Sequence, residues 1–248
     1  MYVDTPKNNR SEMPEPLVLL PGMMCDARLF GPQIAALSAD HCVTVAPITQ
    51  AATVEDIAKS LLARLPERFA LAGLSMGGIV AMEIVRRAPK RVTRLALMDT
   101  NPLAETPQTA AAREPQIVAA RSGRLREVMR DEMKPKYLAD GPSQKDVLDV
   151  VMQMAEALGP EVFVRQSRAL QRRPDQQATL RRCRLPTLVL CGAEDTLCPV
   201  KRHEFMAELM PQAQLVVIAG AGHLPPLEQP DATTQALRDW MALPYVLR

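Results

Sequence analysis

Several features that mark other protein classes are missing from this 248-residue chain. It contains no run of about 18 apolar residues, the length that a membrane-spanning helix needs, so we expect no membrane span. Its 30 basic and 28 acidic residues leave a net charge of only +2. A nucleic-acid-binding protein is expected to carry a basic field, so we expect no nucleic-acid partner. Aromatic residues make up only 3% of the chain, so aliphatic and methionine side chains must dominate the core and any pocket.

Cysteine and histidine are too scarce and too scattered for a disulfide framework or a structural metal site. The five cysteines are an odd number without a C-x-x-C pair, and the three histidines form no cluster with them. The polar first 14 residues contain no apolar stretch typical of a signal peptide. Unpaired thiols suit a reducing compartment. We therefore expect a cytoplasmic protein that needs no metal and no other cofactor.

The chain alternates between short apolar runs, typical of buried strands, and longer segments with helical spacing. The predicted strands cover 17–20, 42–48, 69–74, 92–99, 187–192 and 214–220. The predicted helices cover 27–38, 53–65, 76–87, 200–209 and 231–242. Such alternation predicts an α/β fold with a mostly parallel sheet and helices on both faces.

The alternation stops between residues 102 and 184, where only helical periodicity is found. Four apolar residues there repeat at the spacing of one helix face: Val147, Val151, Met154 and Leu158. Ser143 is placed to cap the start of this helix, and Gly159-Pro160 is expected to end it.

This block divides the chain into two predicted parts. Residues 1–101 and 185–248 form the core, and residues 102–184 form an all-helical cap inserted into it. The apolar faces of the cap need something to cover. We therefore expect an apolar cleft between cap and sheet, with Met23 and Met24 on its floor.

Residues 73–77 read Gly-Leu-Ser-Met-Gly, a GxSxG pattern between a predicted strand and a predicted helix. This context is typical of a nucleophile elbow, a sharp turn that holds a serine above the sheet. The glycines lack Cβ atoms, so strand and helix can approach closely. We predict that Ser75 is a nucleophile.

When a serine attacks a carbonyl group, negative charge develops on the carbonyl oxygen. Two backbone N–H groups are needed to stabilise this oxyanion. The N–H of Met76 lies at a helix start, where backbone donors are unpaired, and can supply one of them. The second should come from the loop after the first strand. Met23, directly after Pro21-Gly22, is the predicted donor there.

A serine nucleophile needs a base, and His223 is the best placed of the three histidines. It follows the predicted strand 214–220, and functional groups gather at the carboxyl ends of parallel strands. His41 instead precedes a strand, at the amino end. His203 lies in a helix beside Lys201 and Arg202 and is expected to be solvated.

Two aspartates compete for the role of the acid that orients this base. Asp195 follows the strand at 187–192, whereas Asp99 ends the strand at 92–99 and faces the same edge of the sheet. The order Ser75, Asp195, His223 along the chain favours Asp195. Glu194, its neighbour, is expected to point elsewhere.

Four motifs resemble the α/β-hydrolase superfamily and, within it, small carboxylesterases and lactonases with a helical cap. They are LLPG at 19–22, GLSMGG at 73–78, GAEDTLCP at 192–199 and GHLPPLEQP at 222–230. The resemblance covers about residues 17–242. It implies the α/β-hydrolase fold and a helical cap at 102–184. It also implies roles for five residues: Ser75 as nucleophile, His223 as base, Asp195 as orienting acid, and Met23 and Met76 as oxyanion donors.

Three details qualify the resemblance. Glu228 matches a recurrent acidic position of the superfamily, which we interpret as structural. The oxyanion loop usually reads His-Gly in this superfamily, and here it reads Pro21-Gly22, so the backbone donor is kept and the histidine is not. The leading antiparallel strands of the full fold are expected to be short or missing, because the first strand begins by residue 17.

The expected reaction is hydrolysis of a carboxylic ester or lactone through an acyl-enzyme. The same groups could cleave a carbon–carbon or peptide bond, and some members of this fold are small-molecule receptors with little turnover. The segment 102–184 holds 15 basic and 11 acidic residues. This excess could select an acyl group bearing a carboxylate, although a solvated arginine face explains it more simply. We expect a small-molecule substrate and a monomer or homodimer.

Overall fold

The computed structural model describes residues 15–133 and 137–244. The polar first 14 residues lie outside the described part of the chain. Six strands form one sheet in the order β2-β1-β3-β4-β5-β6, and every neighbouring pair is parallel. The strands are β1 Leu17–Leu20, β2 Val43–Val45, β3 Phe69–Leu74, β4 Val92–Met98, β5 Thr187–Gly192 and β6 Ala213–Ile218. The predicted sheet is confirmed, with β2 shorter than the predicted 42–48.

Apolar side chains cover both faces of this sheet, as a parallel sheet requires. On β3, Leu71 belongs to one hydrophobic cluster, while Ala70 and Ala72 belong to the other. Helices α2 (Val54–Leu62), α3 (Met76–Arg87) and α8 (Val200–Leu209) pack on the first face, and helices α1 (Gly31–Leu37) and α10 (Pro230–Met241) pack on the second. The helices of the core are α1 Gly31–Leu37, α2 Val54–Leu62, α3 Met76–Arg87, α8 Val200–Leu209, α9 Pro225–Glu228 and α10 Pro230–Met241, and a 3₁₀ turn, Ala27–Phe30, precedes α1.

Among the described residues of 102–184, the regular elements are all helical. They are α4 Pro107–Ala119, α5 Leu125–Glu127, α6 Gln144–Gln171 and α7 Gln177–Arg182, with wide π-helical turns at Ala120–Arg124 and Val128–Met133. Gln166 ties α6 to the carboxyl edge of the sheet. Its amide accepts a hydrogen bond from the N–H of Met24 and donates one to the carbonyl of Ile48.

Of two expectations about α6, one is confirmed and one is wrong. Gly159 has non-helical backbone angles, φ 77° and ψ 174°, so the first helical segment ends there as predicted, and a second segment continues from Pro160 to Gln171. Proline is tolerated in the first turn of a helical segment, and the segment after Pro160 buries Val162, Phe163 and other side chains. Ser143 does precede α6, but its side chain makes no capping hydrogen bond. In the described residues, no helix is long and apolar enough to cross a membrane.

Candidate active site

Ser75 lies in the tight turn between β3 and α3. Its backbone adopts φ 54° and ψ −117°, a conformation that is strained for any residue other than glycine. Its N–H donates to the carbonyl of Met98 at 2.8 Å, and its carbonyl accepts from the hydroxyl of Thr100 at 2.7 Å. A Cβ on Gly73 would overlap the backbone of Gly77. The turn is therefore held in place by the end of β4 and the residue Thr100 that follows it, and its geometry requires the glycine at position 73.

The structure brings Ser75, His223 and Asp195 into one line of hydrogen bonds. His223 Nε2 lies 2.9 Å from Ser75 Oγ, and His223 Nδ1 lies 2.7 Å from Asp195 Oδ2. An ionised carboxylate only accepts hydrogen bonds, so Nδ1 carries the proton and Nε2 is left to accept from the serine. His223 and Asp195 are buried at 3% and 4% exposure, whereas Ser75 is partly exposed.

Asp195 is held as a carboxylate by its hydrogen bonds. Burial acts to raise the pKa of this carboxyl, but the bond from His223 and those from the N–H groups of Leu197 and Cys198 outweigh it, and the pKa is lowered. Glu194 is exposed, as expected. Asp195 is therefore charged at neutral pH and can stabilise a protonated imidazole.

Asp99, the competing acid, occupies a different position. It is fully buried at φ 43°, and its Oδ1 accepts from the N–H of Gly192 at 2.9 Å. Burial, and then the negative charge of Asp195, raise the pKa of Asp99 well above its usual range. The surroundings of Asp99 thus favour its neutral form, and His223 donates its hydrogen bond to Asp195 rather than to Asp99.

His203 is buried, so the expectation that it is solvated is wrong. Helix α8 turns Lys201 and Glu204 toward solvent and buries His203 and Met206, one helical turn apart. His203 Nε2 accepts from the N–H of Thr100 at 3.1 Å. Thr100 in turn bonds to Ser75, so this histidine supports the turn that holds the serine. Burial lowers the pKa of His203 to about 4.

Acidification is expected to destabilise the protein through His203. An unfolded histidine has a pKa near 6.5, so the unfolded chain takes up this proton before the folded chain does. The contribution of His203 is complete above about pH 6.5 and is lost as the pH falls toward 4, a loss of about 3 kcal/mol in the free energy of unfolding. Urea unfolding at pH 7 and pH 4.5 should show a larger loss in wild type than in His203→Gln. Equal losses of unfolding free energy in the two proteins would show that His203 does not cause the acid destabilisation.

The loop that carries His223 is fixed by Glu228, which the sequence analysis interprets as structural, and by Tyr137. Glu228 is buried and accepts from three backbone N–H groups, those of Gly222, Leu224 and Ala139, at 2.8 to 2.9 Å. The N–H of His223 donates to the carbonyl of Tyr137 at 2.6 Å, and the two rings lie 5.3 Å apart. Glu228 had a signal in the sequence, whereas nothing in the pattern pointed to Tyr137.

Met23 and Met76 both line the cavity that contains Ser75. Within 15–133 and 137–244, no hydrogen bond occupies the N–H of either residue. Met24 differs from them, because it is fully buried and its N–H is bonded to Gln166. The expectation that Met24 lies on the floor of the cleft is therefore wrong.

The cavity has a volume of about 490 Å³ and lies between the helical segment and the carboxyl edge of the sheet. Apolar side chains such as Ile79, Leu103 and Leu170 line part of it. Charged side chains line the rest, among them Arg113 and Arg173. The predicted apolar cleft is thus a cleft of mixed character.

Asp195, His223 and Cys198 also offer donor atoms within 4.8 Å of one another, a spacing that a metal ion could use. Both ring nitrogens of His223 are engaged in hydrogen bonds. Burial, followed by the charge of Asp195, raises the pKa of the Cys198 thiol well above its usual range, and a metal would need the thiolate. The arrangement therefore favours hydrogen bonding over metal binding.

Comparison with known proteins assigns the family. A model of the alpha/beta hydrolase family matches residues 17–236. The chain belongs to the alpha/beta hydrolase family. This hydrolase is 29% identical over 199 residues to a pimeloyl-[acyl-carrier protein] methyl ester esterase of Aromatoleum aromaticum, a match that covers 75% of this chain and 79% of the relative.

Solved structures agree with this assignment. A thermophilic esterase from Thermogutta terrifontis, solved with malate bound, has 31% identity and a TM-score of 0.84, over 92% of this chain and 89% of the esterase. The enol-lactonase from Burkholderia xenovorans LB400 has 22% identity and a TM-score of 0.82, over 92% of this chain and 91% of the lactonase, and supports the fold alone. The predicted fold and esterase-like family are confirmed.

Proposed function

We propose that this protein is a serine hydrolase that cleaves a carboxylic ester or lactone. The observation that carries the proposal is the line of hydrogen bonds from Ser75 through His223 to Asp195, which begins at a strained turn facing the cavity. A serine hydroxyl is a weak nucleophile unless a neighbouring base takes its proton. His223 Nε2 is within reach of that proton, and Asp195 is placed to hold the ring.

In the proposed reaction, Ser75 Oγ attacks the carbonyl carbon while its proton passes to His223 Nε2. Asp195 stabilises the imidazolium that forms. His223 then gives the proton to the leaving alcohol, and the acyl group stays on Ser75. Water, deprotonated by His223, attacks the acyl-enzyme, and the released acid leaves Ser75 with its proton restored.

The developing oxyanion needs donors that are already oriented and unpaired. We assign this role to the N–H groups of Met23 and Met76, which border the cavity beside Ser75. Loss of one such donor typically costs about 2.7–4 kcal/mol of transition-state stabilisation. Because the donors are backbone groups, replacing either methionine side chain need not remove them.

The ester class is supported by the relatives, two of which are named as esterases. Hydrolysis rates over a panel of carboxylic esters, lactones and thioesters test it. Rapid turnover of at least one ester or lactone is expected. Tight ligand binding without turnover would instead favour a receptor of the same fold. Cleavage of peptides or of carbon–carbon bonds alone would contradict the proposed bond type.

We further propose that residues 102–184 act as a cap that shapes the acyl site. Ala112 is exposed on α4 and lines the cavity, so Ala112→Leu narrows the cavity without disturbing the core. The variant is assayed with p-nitrophenyl esters from acetate to octanoate. Because the leucine occupies space that a long acyl chain needs, kcat/KM for the longest acyl chains should fall by about fivefold or more. The rate with acetate should change less than about twofold.

Ala111→Leu is the matched control for this substitution. Ala111 is also exposed on α4, next to Ala112, but it does not line the cavity. The control should keep the wild-type order of rates across the ester series. If Ala112→Leu also kept that order, residues 102–184 would not shape the acyl site.

A further inference from the structure

Three arginine side chains line the cavity together with Ser75. Arg113 lies on α4, Arg173 lies just after α6, and Arg202 lies in the first turn of α8. They come from three separate parts of the chain, and the fold places their positive charges at one cavity. Arg113 and Arg173 belong to the segment 102–184, and Arg202 belongs to the core.

The carboxylates at this cavity do not balance the three guanidinium groups. Glu105, whose side chain is 1% exposed, pairs with Arg113 at 2.5 Å and with Arg173 at 3.2 Å. Glu132 also lines the cavity but is exposed. In the part of the chain that the structure describes, no carboxylate lies within 4.0 Å of the guanidinium of Arg202. A net positive charge therefore faces the cavity.

Arg173 has donors that its neighbours do not fully use. Its side chain is only 11% exposed, its Nε–H donates to the carbonyl of Leu103, and Nη1 reaches Glu105. A guanidinium group has five N–H donors, and Nη2 makes no hydrogen bond within the described residues. Burial lowers the pKa of Arg173, and the charges of Arg113 and Arg202 lower it further against the effect of Glu105. A bound anion would relieve this repulsion.

These charges also lie close to the proposed oxyanion site. Arg113 Nη1 is 4.0 Å from the sulfur of Met23, the residue whose N–H we assign as an oxyanion donor. A substrate whose ester lies at Ser75 could therefore place a second group among the arginines. The planar guanidinium fork matches a carboxylate, which it can hold through two parallel hydrogen bonds.

We propose that the substrate of this enzyme carries a carboxylate besides its scissile ester, and that Arg113, Arg173 and Arg202 form the subsite that receives it. This inference rests on the proposed function, because it assigns the ester of the same molecule to Ser75. The chemical class is a half-ester of an aliphatic dicarboxylic acid, or a lactone bearing a carboxylate.

The test compares monomethyl adipate with the methyl ester of adipamic acid, in which an uncharged amide replaces the carboxylate at nearly the same size. Binding of both compounds is measured by calorimetry on Ser75→Ala, which cannot turn them over. The carboxylate compound should bind about tenfold or more tightly than the amide, in line with a charge-assisted hydrogen bond. Adding Arg202→Gln to Ser75→Ala should reduce the difference to about twofold or less, and adding Arg173→Gln should do the same.

Arg172→Gln, also added to Ser75→Ala, controls for net charge, because Arg172 is exposed and does not line the cavity. This control should keep the preference for the carboxylate. Arg202→Gln keeps the test valid if Arg173→Gln fails to fold, since Arg202 has no ion-pair partner in the described chain to lose. Equal affinity for both compounds, no binding of the carboxylate compound, or loss of the preference in Arg172→Gln would overturn the subsite.

Hydrolysis by the wild-type enzyme separates this inference from the proposed function. If wild type hydrolyses the amide compound and the carboxylate compound equally well, and Ser75→Ala binds them equally, the subsite is wrong and the serine hydrolase stands. If Ser75→Ala prefers the carboxylate but wild type cleaves no ester or lactone, the subsite stands and the proposed reaction is wrong.

Discussion

Replacing Ser75 with alanine is expected to reduce kcat/KM for every hydrolysed ester by about 10⁴-fold or more. The variant loses the oxygen that would form the acyl-enzyme, while the surrounding turn stays in place. Alanine removes one hydroxyl from a partly exposed side chain, so the free energy of unfolding should change little. A fluorophosphonate probe, which reacts with activated serines, should label wild type and leave Ser75→Ala unlabelled.

Ser122→Ala is the control for this experiment. Ser122 is exposed, and its hydroxyl donates to the carbonyl of Val118 rather than to a histidine. Its removal should change neither hydrolysis nor labelling. Full labelling of Ser75→Ala would show that the nucleophile lies elsewhere.

Replacing Asp195 with asparagine is expected to lower kcat by about 10³- to 10⁴-fold. The amide is neutral and cannot stabilise the imidazolium, and its NH₂ group favours the wrong tautomer of His223. The fold should persist, because the amide oxygen can still accept from the N–H groups of Leu197 and Cys198. Steady-state kinetics measure the loss of catalysis, and the thermal unfolding midpoint shows whether the fold has also lost stability.

Asp99→Asn is the matched comparison, since the same chemical change is made in the neighbouring buried acid. Burial raises the pKa of Asp99 and so favours its neutral form, which asparagine resembles in shape and charge. Its oxygen can still accept from the N–H of Gly192. We expect a loss of kcat below about tenfold. Exchanged results for the two aspartates would assign the orienting acid to Asp99.

The sheet could be predicted because strand and helix patterns alternate cleanly over the core. One rule then places Ser75, Asp99, Asp195 and His223 near one another. Each lies in the loop or turn that follows a strand, and parallel strands end at a common edge. Strand lengths were less accurate. In the predicted strand 42–48, only Val43–Val45 pairs with β1. Pro47 has no N–H that could extend the ladder.

Local sequence patterns do not predict contacts between distant parts of the chain. His203 was expected in solvent because its neighbours in the sequence are basic, although its spacing from Met206 carried a signal of burial. The pairing of Glu105 with Arg113 and Arg173 depends on how the helices of 102–184 fold back on one another. Counting charges in 102–184 shows an excess of basic residues, but it does not show which basic residues face the cavity.

The central claim is that Ser75 forms an acyl-enzyme. The most direct measurement is mass spectrometry of wild-type protein that has been mixed with p-nitrophenyl acetate and quenched in acid within the first turnovers. We expect one acetyl group on the peptide that contains Ser75. This group should disappear as turnover completes and should never form in Ser75→Ala. Hydrolysis without any adduct, or an acetyl group on another residue such as Cys198, would contradict this claim.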